Sequence, residues 1–189
     1  MQNLGEEITG QYLKISKDCD FVEYNLYTTE VQGEIDVVGI NAKDKKVYIC
    51  EVAIHLVTGL QYNTKGETGT KPDNVNRFLK KFAKNIEYAE KYFKEYEKTF
   101  MLWSPIVKNQ SVNAKHNQMD DVLEIQSEIK NRYGHNLELV INEKYQECLD
   151  QLREHARKET KELKSPVLRT MQIEEKLKKH LELLKKRCH

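Results

Sequence analysis

Two apolar runs rich in β-branched residues, 34–40 and 47–56, lie one short charged turn apart, and that closeness dictates how the chain begins to fold. The turn between them contains Asp44, Lys45 and Lys46. It is too short for a crossover, so the two runs must pair antiparallel. A third run at 21–29 leads through Gln32 and Gly33 into the first of them. Together the three predict an antiparallel meander.

Each inner run is broken by an acid. With the period of two of a strand, Asp36 shares a face with Val38 and Ile40, and Glu51 with Val47, Ile49, Ala53 and His55. A carboxylate desolvated among such neighbours costs several kcal/mol unless it is paired or metal-bound. Neither run supplies an Arg or Lys to pair with it, and two acids on adjacent strands repel. A divalent cation between them removes both problems. Oxygen donors, the carbonyl that follows Glu51 and open water positions suit magnesium or manganese.

The rest of the chain alternates between helix and strand patterns. Leu4, Ile8, Tyr12 and Ile15 fall at helical spacing ahead of the meander. Residues 58–74 hold Gly59, Gly66, Gly69 and Pro72, which predicts an exposed, mobile loop. A long helix is expected from about 74 to 98, buried through Phe78, Phe82, Ile86 and Ala89. Then follow a strand at 100–107, a helix at 120–132 stopped by Gly134, a strand at 137–141 and a helix at 143–163. Ser165-Pro166 has the order of a helix cap and first residue, opening a last helix with Val167, Met171, Ile173, Leu177, Leu181 and Leu184. This order implies an α/β sandwich with a mixed five-stranded central sheet. The expected division is a core at 1–142 and a C-terminal helical extension at 143–189 that packs on the core or mediates dimerisation.

Composition narrows the class. Of 189 residues, 39% are hydrophobic and 32% charged, with 8 Gly and 3 Pro, which excludes wholesale disorder and collagen-like chains. No apolar stretch approaches the roughly 18 residues of a membrane span, and Glu6 and Glu7 stand where a signal peptide carries basic residues. Cys19, Cys50, Cys148 and Cys188 are widely spaced, with no zinc-type pair, so free thiols in a reducing, cytoplasmic compartment are expected. Walker and dinucleotide fingerprints are absent, and no nucleotide cofactor is expected.

Gly5-Glu6, Tyr12-Leu13, Gly33-Glu34-Ile35-Asp36 and Glu51-Val52 together resemble the PD-(D/E)xK nuclease superfamily, most closely its Holliday-junction-resolvase-like branch. The resemblance covers about residues 5–56. It implies a restriction-endonuclease-like α/β/α sandwich and Mg2+- (or Mn2+-) dependent endonuclease cleavage of DNA that leaves a 5′-phosphate. Carried over residue by residue, Glu6 is the helix acid that holds a metal-bound water or a second ion, with Glu7 its neighbouring alternative, Asp36 is the central metal ligand and Glu51 the second. The family's lysine falls two residues after the glutamate, where this chain has Ala53. Three readings stay open. Lys80, Lys81 or Lys84 could reach in from the long helix, as this lysine migrates in the superfamily. His55, on the same strand face as Glu51, could act as the base through a water. Or the site could be broken, leaving an inactive nuclease-fold protein that binds nucleic acid or a protein partner.

Lys65 and Lys71 before the long helix, and Arg77, Lys80 and Lys84 on it, form a basic stripe suited to a DNA backbone. The final helix, leucine-striped and lysine-flanked, is a candidate homodimer contact.

Overall fold

A computed structural model describes residues 3–27, 33–60, 62–66, 69–109 and 117–187. Thr28, Thr29, Gln32 and Cys188 lie outside the described residues, as do the side chains of Lys65 and Lys71.

The expected meander is present. Strands β1 (Phe21–Tyr27), β2 (Glu34–Asn41) and β3 (Lys46–Val52) pair antiparallel in sequence, with Val37 opposite Cys50 and Tyr24 opposite Val37. Strand β6 (Glu97–Ser104) joins β3 in parallel and β7 (Leu137–Ile141) joins β6 in parallel. The result is a five-stranded mixed sheet of order β1-β2-β3-β6-β7. The connection from β3 to β6 carries helix α2 (Asn74–Tyr92), and that from β6 to β7 carries α3 (Gln118–Tyr133). Parallel neighbours require crossovers of this length.

Helices cover both faces. Phe78, Phe82 and Ile86 of α2 and Val122, Ile125 and Ile129 of α3 pack on Val47, Ile49, Phe100 and Leu102. On the other face, Tyr12 and Leu13 of α1 (Leu4–Ser16) meet Cys148 and Leu152 of α4 (Asn142–Lys158) around Trp103. Tyr12 and Tyr145 approach that indole edge-on, at 5.2 and 5.8 Å between ring centroids. Gly39 leaves room for α1, since a Cβ there would stand 2.8 Å from Leu13 Cδ1. Residues beyond 142 therefore complete the second helical layer. Only the later part of α5 (Pro166–Arg187) stands away from the core: Val167, Leu168 and Met171 are buried, and Ile173, Leu177, Leu181 and Leu184 are exposed. Its start is as expected, with Ser165 Oγ accepting from the Leu168 N–H at 3.3 Å. No described helix is long and apolar enough to cross a membrane.

Several boundaries differ from the sequence expectation. Helix α2 stops at Tyr92 rather than near 98, because Phe93 and Tyr96 pack together in a turn and the Glu97 N–H donates to Lys45 O at 2.8 Å, starting β6. Strand β6 ends at Ser104, before Pro105, which has no N–H for a ladder. Helix α4 ends at Lys158 rather than 163. Within the expected loop, β4 (Asn63–Gly66) and β5 (Gly69–Pro72) form a hairpin. Its flanks are fixed by buried Leu60 and by buried Asn74, whose Oδ1 accepts from the Tyr62 N–H at 2.7 Å while its Nδ2 donates to Leu60 O at 2.8 Å.

Candidate active site

Strands β2 and β3 bring the two predicted acids together. Val37 pairs with Cys50, so Asp36 and Glu51 follow at the next position of the antiparallel register, both turned toward α2. Glu51 is wholly buried and Asp36 nearly so. Asp36 Oδ2 accepts from the Val52 N–H at 2.7 Å, which anchors one acid to the strand of the other.

The positive charge arrives from the helix above. Lys81 Nζ donates to Glu51 Oε2 and stands 3.6 Å from Asp36 Oδ1. Asn85, one helical turn on, donates to Glu51 Oε1 at 2.7 Å. Of the three lysines offered by the sequence, Lys81 is the one that reaches the acids. Lys80 is exposed, and Lys84 lies beside the start of β2, its Nζ 3.9 Å from where a Cβ on Gly33 would sit.

Burial pushes the Glu51 carboxyl up to about 7, with Asp36 adding to the rise and Lys81 and Asn85 opposing it. Burial alone would lower the Lys81 ammonium, but Glu51 and then Asp36 outweigh it, and its pKa is raised. The lysine thus stays charged beside two acids, one of which is held at the edge of protonation near neutrality.

Glu6 is placed elsewhere. It is the N3 residue of a capping box: its backbone N–H donates to Asn3 Oδ1 at 2.9 Å, and its Oε2 accepts from the Asn3 N–H at 3.0 Å. The same oxygen accepts from Asn25 Nδ2, also at 3.0 Å. Asn25 falls opposite Asp36 in the β1–β2 register and has a left-handed backbone, φ 51°. Glu6 therefore caps α1 and ties it to β1 instead of joining the acid pair. Glu7 is engaged by Ser165 Oγ at 2.6 Å. Among the described residues no three His, Cys, Asp or Glu side chains are grouped to hold a metal ion.

His55 also departs from expectation, because β3 ends at Val52 and the alternation of faces stops with it. It is exposed and turned to Tyr62, with Nε2 3.2 Å from the phenol oxygen and the rings nearly perpendicular at 5.3 Å. Tyr62 borders the site: burial raises its phenol pKa, and the charges of Arg77, Lys81, Asp36 and Glu51 all act on it. Arg77 lies over that ring, its Cζ 3.9 Å from the centroid. Asn85, Tyr62 and Asn74 were not anticipated. Polar Asn85 on the buried stripe of α2 was the available signal for one of them.

The donor set suits a hydrated magnesium ion, which takes one or two carboxylates and keeps several waters. Asp36 and Glu51 supply that number of hard oxygens, and the raised Glu51 pKa marks a place where added positive charge is favourable. No family model, curated protein or solved structure matches this chain.

Proposed function

We propose that the protein is a Mg2+-dependent nuclease of PD-(D/E)xK type that hydrolyses phosphodiester bonds in DNA. The observation carrying this is the ion pairing of Lys81 with both Asp36 and Glu51. A cation beside the acid pair is what the motif requires, and α2 supplies it although position 53 is alanine. The rival, an inactive nuclease-fold protein, drew its support from Ala53, and Lys81 answers that objection.

Asp36 and Glu51 hold the ion in this scheme. A magnesium ion held by Asp36 and Glu51 would supply Lewis-acid activation of the phosphate and of the attacking water. Lys81 then turns from Glu51 to the scissile phosphate, where its ammonium stabilises the charge that grows on the equatorial oxygens. Asn85 holds Glu51 in place during that exchange. Water attacks phosphorus as the P–O3′ bond breaks, the proton lost by the water is delivered through solvent to the 3′ oxygen, and the phosphate remains on the 5′ side.

Supercoiled plasmid with magnesium, and with a chelator as control, tests the assignment. Wild-type protein should nick it only with the metal. Asp36→Asn should abolish nicking while melting at the same temperature or higher. Nicking that survives in Asp36→Asn, or its absence in the wild type, removes the assignment.

A further inference from the structure

This inference rests on the nuclease function just proposed and concerns how that site grips the polymer. From Asn74 to Ile86, α2 carries Arg77, Lys80, Lys81 and Lys84 and no acid. The positive end of the helix dipole lies in the same half. Elsewhere, surface cations are neutralised by their own helices: Arg132 pairs with Glu128, Lys144 with Glu147 and Arg157 with Glu154. Among the described residues, Arg77 has no carboxylate within the 4.0 Å of an ion pair.

Arg77 is exposed yet not loose. Its guanidinium lies on Tyr62, and Tyr62 is itself fixed at three points. Its N–H is held by Asn74, its ring packs edge-on against Phe78 at 5.5 Å, and its hydroxyl meets His55. A guanidinium held over an aromatic ring by cation–π attraction still has N–H donors to offer, and these suit phosphate oxygens. Arg77 also sits about one turn before Lys81, about 6 Å along the helix on the same side. A strand with one phosphate at Lys81 brings a neighbouring phosphate to Arg77. Three neighbours occupy Tyr62, so its ring is not offered to a base.

We infer that Arg77, fixed on Tyr62, is a backbone clamp: it positions DNA by the phosphodiester adjacent to the one cut and reads no base. His55 and Tyr62 are its supports and do not take part in bond breaking.

The test uses the full chain carrying Asp36→Asn, which binds without cutting, and fluorescence anisotropy on labelled duplexes of unrelated sequence over a range of NaCl. Adding Arg77→Gln should weaken binding about tenfold on every sequence and reduce the slope of log Kd against log salt by about 1. Arg77→Lys should restore the slope but not the full affinity, since the ammonium lacks the fork of donors. The clamp is overturned if Arg77→Gln keeps the parent's affinity and slope, if its loss is confined to one sequence, or if the parent binds none of the duplexes. Nicking by the wild type is scored separately. Arg77-dependent binding without nicking supports the clamp and removes the nuclease; nicking with Arg77-independent binding does the opposite.

Discussion

The ammonium of Lys81 lies 3.6 Å from Asp36 Oδ1, linking the middle of a helix to an acid on the sheet beneath it. That single side chain reconciles two carboxylates that would otherwise repel in a buried space. Its removal has consequences for folding as well as chemistry.

Lys81→Met should leave Asp36 and Glu51 facing each other uncompensated. The expected loss of stability is about 3 kcal/mol at pH 8, in the range for breaking a buried ion pair. Manganese, titrated during thermal melts, should recover much of that loss in the variant and raise the wild-type midpoint less. A variant as stable as wild type without metal would contradict the pairing.

Glu51→Gln gives a pH-dependent result with a definite sign. The folded-state pKa of Glu51 lies above its unfolded value, so the native state holds the extra proton between about 4.5 and 7. Stability from this group therefore falls as pH rises through that window. At pH 5 the variant should melt close to wild type. At pH 8.5 it should be more stable, by up to about 3 kcal/mol from the linkage alone. Lys81 acts with the same sign at higher pH: its raised pKa gives stability that is complete below its unfolded value and is lost as alkaline pH passes its folded one.

The acid pair was legible in the sequence because Asp36 and Glu51 each break an apolar run, and a two-residue period fixes their faces. Lys81 was visible only as one of three candidates, since spacing along a helix does not say how far its axis is rotated against the sheet. The local role of Glu6 was also legible, since Asn3-x-x-Glu6 has the spacing of a capping box, a device that competes with any distant role for the same acid. The position of His55 was not legible, for a different reason. Its placement assumed that β3 continues, and nothing in the apolar pattern reveals that the strand stops at Val52. The β4–β5 hairpin was hidden because its residues are Gly, Thr, Lys and Asn, which read as loop when no core face imposes alternation.

Asn74→Ala tests the hub that leads into α2. The amide side chain serves the Tyr62 N–H, Leu60 O and Asp121 Oδ2, the last at 2.6 Å. Losing it leaves buried backbone groups unmatched and should cost about 2–3 kcal/mol in chemical denaturation. Because Tyr62 then loses a support, affinity for DNA should fall as well.

Gly39→Ala probes the contact of α1 with the sheet. The new methyl would meet Leu13 Cδ1 at 2.8 Å and Cys19 Sγ at 3.0 Å, so those side chains must give way. A loss of about 1–3 kcal/mol is expected, read from denaturant midpoints. Stopping the chain before Ile173 should cost far less, because the leucines beyond it are exposed.

The reactive group is divided between two layers, with its acids on one and its cation on the other. A partly folded chain, whose sheet has formed but whose second helix has not yet docked, carries the negative half alone. The Lys81 ion pairs with Asp36 and Glu51 therefore form only when α2 docks on the sheet, and until then the two acids stand uncompensated.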